Sequence, residues 1–360
     1  MHSIQLQYNL STQSKRAQPL HNAFIQLLSC VREQGSIAGA ARALGLSYRH
    51  VWGELKRWES DLGIDIIHWG KGQSAQLTSF AEKLIWAERQ TQARLAPQID
   101  SLRADLERTF AQVFDPDFHL LTLYASHDDA LPLLRDELSQ AGLHLDVRFC
   151  GSVDAIRALN EGRCVLAGFH CPEQPARQSA SAQSYRKLLQ RGKHKIIGFA
   201  RREQGLIVRA GNPLKLHNWQ SVVTAKARFA LRMQGSGTRV LLSELMHQEG
   251  LRPSDLHSTT PEEPSHMAVA QAVASGHADT GLAIKAVADR MDLDFVPLAL
   301  ENYWLVCLKS ALDSEPIVHL RQFLQTQGWL QQLSAINGYA PHESGRVQAL
   351  HHILPWWPSN

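Results

Sequence analysis

The sequence predicts an α/β protein of two unlike parts: a mostly helical winged helix-turn-helix at the N-terminus, then a larger domain of alternating strands and helices. Three observations predict it. Ser36 to Leu62 reads as two short helices about a tight turn. Asp65 to Thr78 reads as strand, glycine-containing turn and strand. From Phe118 onward, strand-length apolar runs alternate with helical segments. The 360 residues suffice for two or three domains with their own cores, and 44% hydrophobic with 20% charged residues is ordinary for a globular chain.

Ile4 to Leu10 is a candidate short strand. Phe24, Leu27, Leu28 and Val31 recur at helical spacing and supply the first helix of a three-helix bundle. Ser36 is a good N-cap for the second, whose narrow apolar face is Ile37, Ala40, Ala41 and Leu44. Gly45 suits the left-handed residue that ends it, and Ser47 caps the third. Val51, Leu55, Trp58 and Leu62 line the buried side of that third helix. Its opposite side carries Arg49, Gly53, Lys56 and Ser60, flanked by Tyr48, His50 and Arg57. Ser47, Tyr48, Arg49 and His50 therefore stand at the end that meets base edges, and Lys56 and Arg57 suit phosphates. A helical hairpin with a solvated basic face is the plainer alternative. The upstream helix and the downstream wing, with Lys71 at its tip, weigh against it.

Glu82 to about Val113 reads as helix. Leu95, Ile99, Leu102, Leu106 and Val113 follow a heptad-like spacing with Phe110 close to it, which predicts a dimerisation helix rather than one packed on its own domain. Pro97 is expected to kink or restart it. Asp115-Pro116-Asp117 reads as linker.

Beyond the linker, strands are expected at 120–125, 145–149, 165–169, 195–200, 205–208, 229–232, 280–284 and 303–308. Helices are expected at 129–140, 153–160, from Thr238 to Glu249, at 267–275 and within 318–333, and a polar loop at 171–184. Three strands run into small polar residues at the mouth of a helix: Ser126-His127-Asp128, Gly151-Ser152, and Gly235-Ser236-Gly237-Thr238. A helix N-terminus offers free amides and a positive dipole end, and three converging ends would hold an oxyanion or phosphate. Arg239 adds a charged donor. Each segment alone is also an ordinary N-cap. The tail HHILPWWPSN either packs on a neighbour or frays.

Composition narrows the function. A net charge of +3 is too weak for a general nucleic-acid coater, so any DNA contact must come from a local patch. The five cysteines are scattered, with no CxxC, which suggests neither a zinc ribbon nor a disulfide framework. No signal-peptide core or membrane-length apolar run is present, so a cytoplasmic protein with no membrane partner is expected. No nucleophile–base pair or metal-ligand cluster is evident, and Gly235-Ser236-Gly237-Thr238 lacks the lysine of a phosphate loop. No catalytic or metal residue is assigned.

SIAGAARALGLSYRHVWGELKRWESDLG, the wing and LTSFAEKL together resemble the N-terminal domain of molybdate-responsive, ModE-type regulators and, more distantly, the LysR-type winged helix. The ordered set Ser126-His-Asp-Asp-Ala-Leu, Gly151-Ser152, Ala167-Gly-Phe-His170, Arg201 to Pro213, Gln234-Gly-Ser-Gly-Thr-Arg239 and Ser265 to Asp279 resembles the two-lobed, type 2 periplasmic-binding-protein-like domain. The chain departs from that pattern at Leu231, where the family has a polar Asn. The resemblance implies a DNA-binding domain at 1–95, a dimerisation helix and linker at 96–117, an effector domain at 118–340 and a tail at 341–360. It implies ligand contacts from Ser126, His127, Ser152, His170, Ser236, Thr238 and Arg239. His170 is equally open to a packing role beside Phe169, and Asp279 reads as a structural turn residue. The implied protein is a ligand-responsive transcriptional regulator that binds double-stranded operator DNA as a homodimer or dimer of dimers. It has no covalently bound cofactor. Its effector would be molybdate, tungstate or a molybdopterin-type anion. An enzyme or ligand-binding protein of molybdopterin metabolism is the alternative.

Overall fold

Serine and glycine set the ends of the N-terminal helices in the computed structural model, which describes residues 10–11, 19–20, 22–68, 75–114 and 120–356. The described residues fall into two compact units divided between Gln92 and Ala93. In the first unit, β1 (Leu10–Ser11) pairs with β2 (Pro19–Leu20). The expected strand from Ile4 meets the described residues only at Leu10. Then come α1 (Asn22–Gln34), α2 (Ile37–Ala43) and α3 (Tyr48–Leu62). Ser36 Oγ accepts from the Gly39 amide at 3.0 Å and Ser47 Oγ from the His50 amide at 3.1 Å, so both predicted caps form. Gly45 and Gly63 take φ of 65° and 66°, the left-handed conformation that lets the chain leave a helix. Phe24, Leu28, Val31, Ile37, Ala40, Val51, Leu55 and Trp58 close the core.

The wing is β3 (Ile67–His68) against β4 (Gln76–Leu77). Its anchor is Glu59, a carboxylate on the inner side of α3. Glu59 Oε1 accepts from the amides of Ile66 and Ile67 at 3.0 and 3.1 Å, and Lys56 Nζ lies 2.8 Å from Oε2. The amides that open the wing thus end on α3.

Helix α4 (Ser79–Phe114) continues through Pro97 as one helix, so the chain does not restart there. Proline lacks the N–H that would bond to the carbonyl four residues back, at Ala93. That carbonyl instead accepts from Ser265 Oγ at 3.3 Å, which supplies the missing donor from outside the helix.

The second unit holds β5 (Leu120–Ala125), α5 (Ala130–Gln140), β6 (His144–Phe149), α6 (Ser152–Asn160), β7 (Leu166–Pro172), α7 (Ala180–Tyr185), β8 (His194–Val208), α8 (Trp219–Thr224), β9 (Arg228–Ala230), α9 (Gly237–Gln248) and β10 (His257–Ser258). It continues with α10 (His266–Ala274), β11 (Thr280–Ile284), α11 (Lys285–Arg290), β12 (Asp294–Leu308), α12 (Glu315–Phe323), α13 (Gln327–Ser334), β13 (Tyr339–Pro341), β14 (Val347–Gln348) and α14 (Leu350–Ile353). One sheet runs β10-β9-β11-β8-β12-β7-β5-β6, with β13 and β14 also on β8. The sets β6-β5-β7 and β10-β9-β11 are each parallel inside, as strands joined by crossover helices must be. β8 and β12, antiparallel and 15 residues each, run between the two sets and join the lobes. The two short extended runs expected at 195–200 and 205–208 are this one strand. The expected strand at 303–308 is the end of β12, whose earlier half was hidden by Pro297.

The polar loop expected at 171–184 contains α7, capped by Ser179. The C-terminal tail packs within its own unit: Leu350, Leu354 and Trp356 are buried with Trp304 and Val306.

The Glu59 contacts make a prediction. Glu59→Ala leaves two buried amides without their acceptor and should lower stability by about 1–3 kcal/mol, read as a fall in the urea midpoint of the full chain. An unchanged midpoint would remove Glu59 as the wing's anchor.

Candidate functional site

The reading face begins where Ser47 caps α3. Tyr48, Arg49 and His50 are exposed in its first turn, where the sequence placed them. Trp52 is exposed as well, which the sequence analysis did not single out. Lys56 and Arg57 each face a carboxylate of the same helix, Glu59 and Glu54. A phosphate at either position would compete with that carboxylate. Lys71 lies outside the described residues.

In the second unit, the strand ends and helix mouths expected to converge do so. Ser126 follows β5, and its hydroxyl lies 2.8 Å from that of Ser152 at the head of α6. Gly151 packs so closely on the Gly235 backbone that a Cβ there would stand 2.5 Å from the Gly235 carbonyl oxygen. A Cβ on Gly237, at the head of α9, would meet His170 Cβ at 2.9 Å and Ser152 Oγ at 3.1 Å. These glycines are small because two helix mouths and a strand meet there. Ser126, Ser152, His170 and Thr238 are all buried in this convergence.

The other three predicted contacts have protein partners. Ser236 Oγ donates to the Met233 carbonyl at 2.8 Å and accepts from the Arg239 amide at 3.3 Å, the work of a cap. Arg239 Nη1 reaches the Arg232 carbonyl at 3.0 Å and Glu262 Oε1 at 3.2 Å. His127 lies 3.8 Å from Asp100 and packs its ring on Phe149. Asp279 binds Arg228 through both carboxylate oxygens, a structural role.

Beneath the convergence lies a charged floor that the sequence analysis missed. Arg202, buried on β8, donates to Asp128 and, through Nε and Nη2, to Glu301 Oε2 at 3.0 and 2.8 Å. Gln204 donates to the same Glu301 oxygen at 2.7 Å and to Thr238 Oγ1 at 3.3 Å, and Tyr339 donates to Asp128 at 2.8 Å. Burial alone would raise the Asp128 carboxyl, but the Arg202 guanidinium holds it well below the usual carboxylate range. Burial would lower Arg202, but Glu301 and Asp128 hold it fully charged. His170 stacks on Tyr303 with ring centroids 3.9 Å apart, and its Nε2 lies 3.7 Å from Asp128. Burial, then Arg202, push it below the usual imidazole range.

Arg232, two residues past β9, is the unmatched group. It is 4% exposed. Nη1 donates to the Glu263 carbonyl at 3.2 Å, while Nε has no protein partner among the described residues. No carboxylate there pairs with it. Burial, then the nearby Arg202, bring its guanidinium down to about 9. His266, heading α10, lies 3.4 Å through Nε2 from Thr238 Oγ1, and its Nδ1 also lacks a protein partner among the described residues. Burial, then Arg232, push it well below the usual range, so it is neutral at pH 7. A signal for His266 was present, since it follows directly on the Ser265 cap in a segment already quoted. Among the described residues, no three His, Cys, Asp or Glu side chains are placed to hold a metal ion.

Two family models match. The model of a PBP superfamily domain matches residues 135–325, more than half of the chain. The model of the bacterial regulatory helix-turn-helix protein, lysR family, matches residues 23–82. Uncharacterized protein YvgK of Bacillus subtilis (strain 168) is 28% identical over 237 residues, covering 66% of this chain and 76% of that one. An uncharacterized protein from the 5' region of a 2Fe-2S ferredoxin gene in Clostridium pasteurianum is 28% identical over 109 residues, 30% of this chain and 96% of that one. Among solved structures, full-length BenM is similar at TM-score 0.44 and 15% identity, covering 89% of this chain and 98% of that one. CbnR, a LysR family transcriptional regulator, is similar at TM-score 0.38 and 16% identity, covering 82% and 96%.

The charged floor and the neutral imidazoles contribute to the pH dependence of stability. His170 and His266 have folded values below 6.5, so the unfolded chain takes up protons that the folded chain refuses as pH falls through about 6.5. Stability then falls toward pH 5, and His266→Gln should flatten that slope in urea titrations. The Asp128 contribution is present above its unfolded value and is lost only as pH falls through its lower folded value. Asp128→Asn at pH 7 should cost about 1.5–3 kcal/mol, because the bonds from Arg202 and Tyr339 lose their charged acceptor while Glu301 still pairs with Arg202. A pH-independent midpoint between 7 and 5 would contradict the neutral state of both imidazoles.

Proposed function

Because the chain belongs to the PBP superfamily through residues 135–325 and carries a lysR-family helix-turn-helix at residues 23–82, we propose that it is a LysR-type transcriptional regulator whose hold on DNA is set by a small anion in the C-terminal cleft. Arg232 carries the reading. A buried guanidinium without a carboxylate partner is costly, and a bound anion offsets that cost. The buried hydroxyls of Ser126, Ser152 and Thr238 at the heads of the neighbouring helices would add neutral donors. The mouths of α6 and α9 add the positive ends of two helices.

Molybdate or tungstate suits such a site: a compact tetrahedral anion asks for short neutral donors and one cation. A molybdopterin-type anion would draw on His127, His170 and Arg239 as well. The close approach of Gly151 to Gly235 favours the smaller ligand. The head binds double-stranded operator DNA with Tyr48, Arg49 and His50 toward the bases. Leu102 and Leu106, exposed on α4, fit a helix that pairs with its copy in a homodimer. The regulated genes are those of molybdenum or tungsten uptake and use, in the cytoplasm. No helix among the described residues is long and apolar enough to cross a membrane.

Two measurements check the reading. Melting is followed with molybdate, tungstate, sulfate and phosphate. A ligand at a hundred times its Kd stabilises by about 2.7 kcal/mol, and the shift should come with the first two anions and vanish in Arg232→Met. No shift with any anion would discard the oxyanion. For the head, Arg49→Ala should weaken operator binding by about 1–3 kcal/mol and relax one base position. Unchanged base preference would remove Arg49 as a base reader.

A further inference from the structure

The second half of α4 is fastened to the cleft from both sides. On the side of β9 and α9, Arg94 forms a two-pronged contact with Glu263, Nε to Oε2 at 2.9 Å and Nη2 to Oε1 at 2.7 Å. The Glu263 side chain is fully enclosed. One turn of α4 on, Pro97 has no amide for the Ala93 carbonyl, and Ser265 Oγ takes that acceptor. On the side of β5 and β6, the Phe149 amide donates to Ser101 Oγ at 3.4 Å, and Asp100 lies 3.8 Å from His127. Phe149 and His127 adjoin the two strand ends that carry Ser152 and Ser126.

Glu263 and Ser265 belong to a short strap that also reaches the anion site at three points. Glu262 binds Arg239 and accepts from the Gln234 amide at 3.2 Å. The Glu263 carbonyl accepts from Arg232. His266 lies against Thr238. The same five residues, Glu262 to His266, therefore hold the helix by their side chains at Glu263 and Ser265 and the site by the rest. A long fork such as arginine to carboxylate transmits both position and angle, because its two bonds fix the planes of both groups.

We propose that α4 between Ala93 and Ser101 reads the state of the cleft, with Arg94 as the positioning residue that joins it to the Glu262–His266 strap. This rests on the reading of the cleft as an effector site. A ligand on Arg232 changes what holds the Glu263 carbonyl, and Glu263 passes that change to Arg94. The contacts of Asp100 and Ser101 on the other wall resist, so a change in the gap between the walls turns into a shift of the helix. By linkage, whatever holds the helix also changes the affinity for the anion.

The test uses the full-length protein. Without any ligand, Arg232→Met should speed amide hydrogen exchange in the 93–101 stretch about fivefold or more, within the usual span of coupling between sites, and leave α12 unchanged. Exchange unchanged in the 93–101 stretch would overturn the proposal, whatever anion binds. With tungstate, Arg94→Ala should keep the melting shift of the parent chain and lose the tungstate-dependent change in operator affinity. Retention of both would also overturn it. Arg94→Met/Glu263→Met, which removes both charges together, covers the case in which Arg94→Ala does not fold, with the same outcomes expected. Arg94→Lys should restore the response only in part. Absence of a melting shift in the parent chain would count against the anion assignment alone, since the ligand-free exchange decides the coupling separately.

Discussion

The arrangement depends on the placement of Arg202. A guanidinium inside a sheet would cost several kcal/mol if it stood alone. Here it draws Asp128 from the end of β5 and Glu301 from β12 onto β8, and Tyr339 from β13 joins through Asp128. The elements that must meet at the floor of the cleft are thereby fixed relative to each other by groups that cannot be moved without stranding a charge. Hydrophobic packing fills the layers on either side, but it is indifferent to small slides. The charged floor is not.

The same floor explains why Arg232 stands out. Arg202 faces two carboxylates, Asp128 and Glu301, so one negative charge is left over there. Arg232 supplies one positive charge nearby, and Glu263, then Glu301, act on it from a distance. The cleft is near neutrality as a whole, while its charges are unevenly shared: one side holds a saturated pair and the other a cation with a spare donor. On the proposed reading, an entering anion would meet that cation first.

The head was legible in the sequence almost to the residue, because helical period, serine caps and left-handed glycines are local signals and Ser36, Ser47 and Gly45 give all of them. The strand ends of the second unit were legible for the same reason: Gly235-Ser236-Gly237 advertises close backbone approach. Arg202, Gln204 and Glu301 were not legible, since they sit inside strands and their meaning comes only from partners about a hundred residues away. β8 and β12 were read as fragments because a central strand with Gly205 or Pro297 in it looks interrupted. At Pro97 the helix does not restart, for a related reason. A proline breaks a helix when the freed carbonyl has nowhere to go, and no window of sequence shows that Ser265 is there to take it. Of the two resemblances, the LysR type, the more distant by motif, is the one with a matching family model.

Glu59 has a consequence for how the head meets its target. The carboxylate that pins the amides of Ile66 and Ile67 belongs to the reading helix, so helix and wing root form one stiff piece, like two teeth cut from one comb. Such a piece has a fixed span between what enters one groove and what leans on the next. On the proposed reading, a duplex of different groove width would have to adjust to it. Sequences that yield cheaply to that span are then favoured at base pairs no side chain touches, and part of the operator's identity is written in the bendability of its DNA.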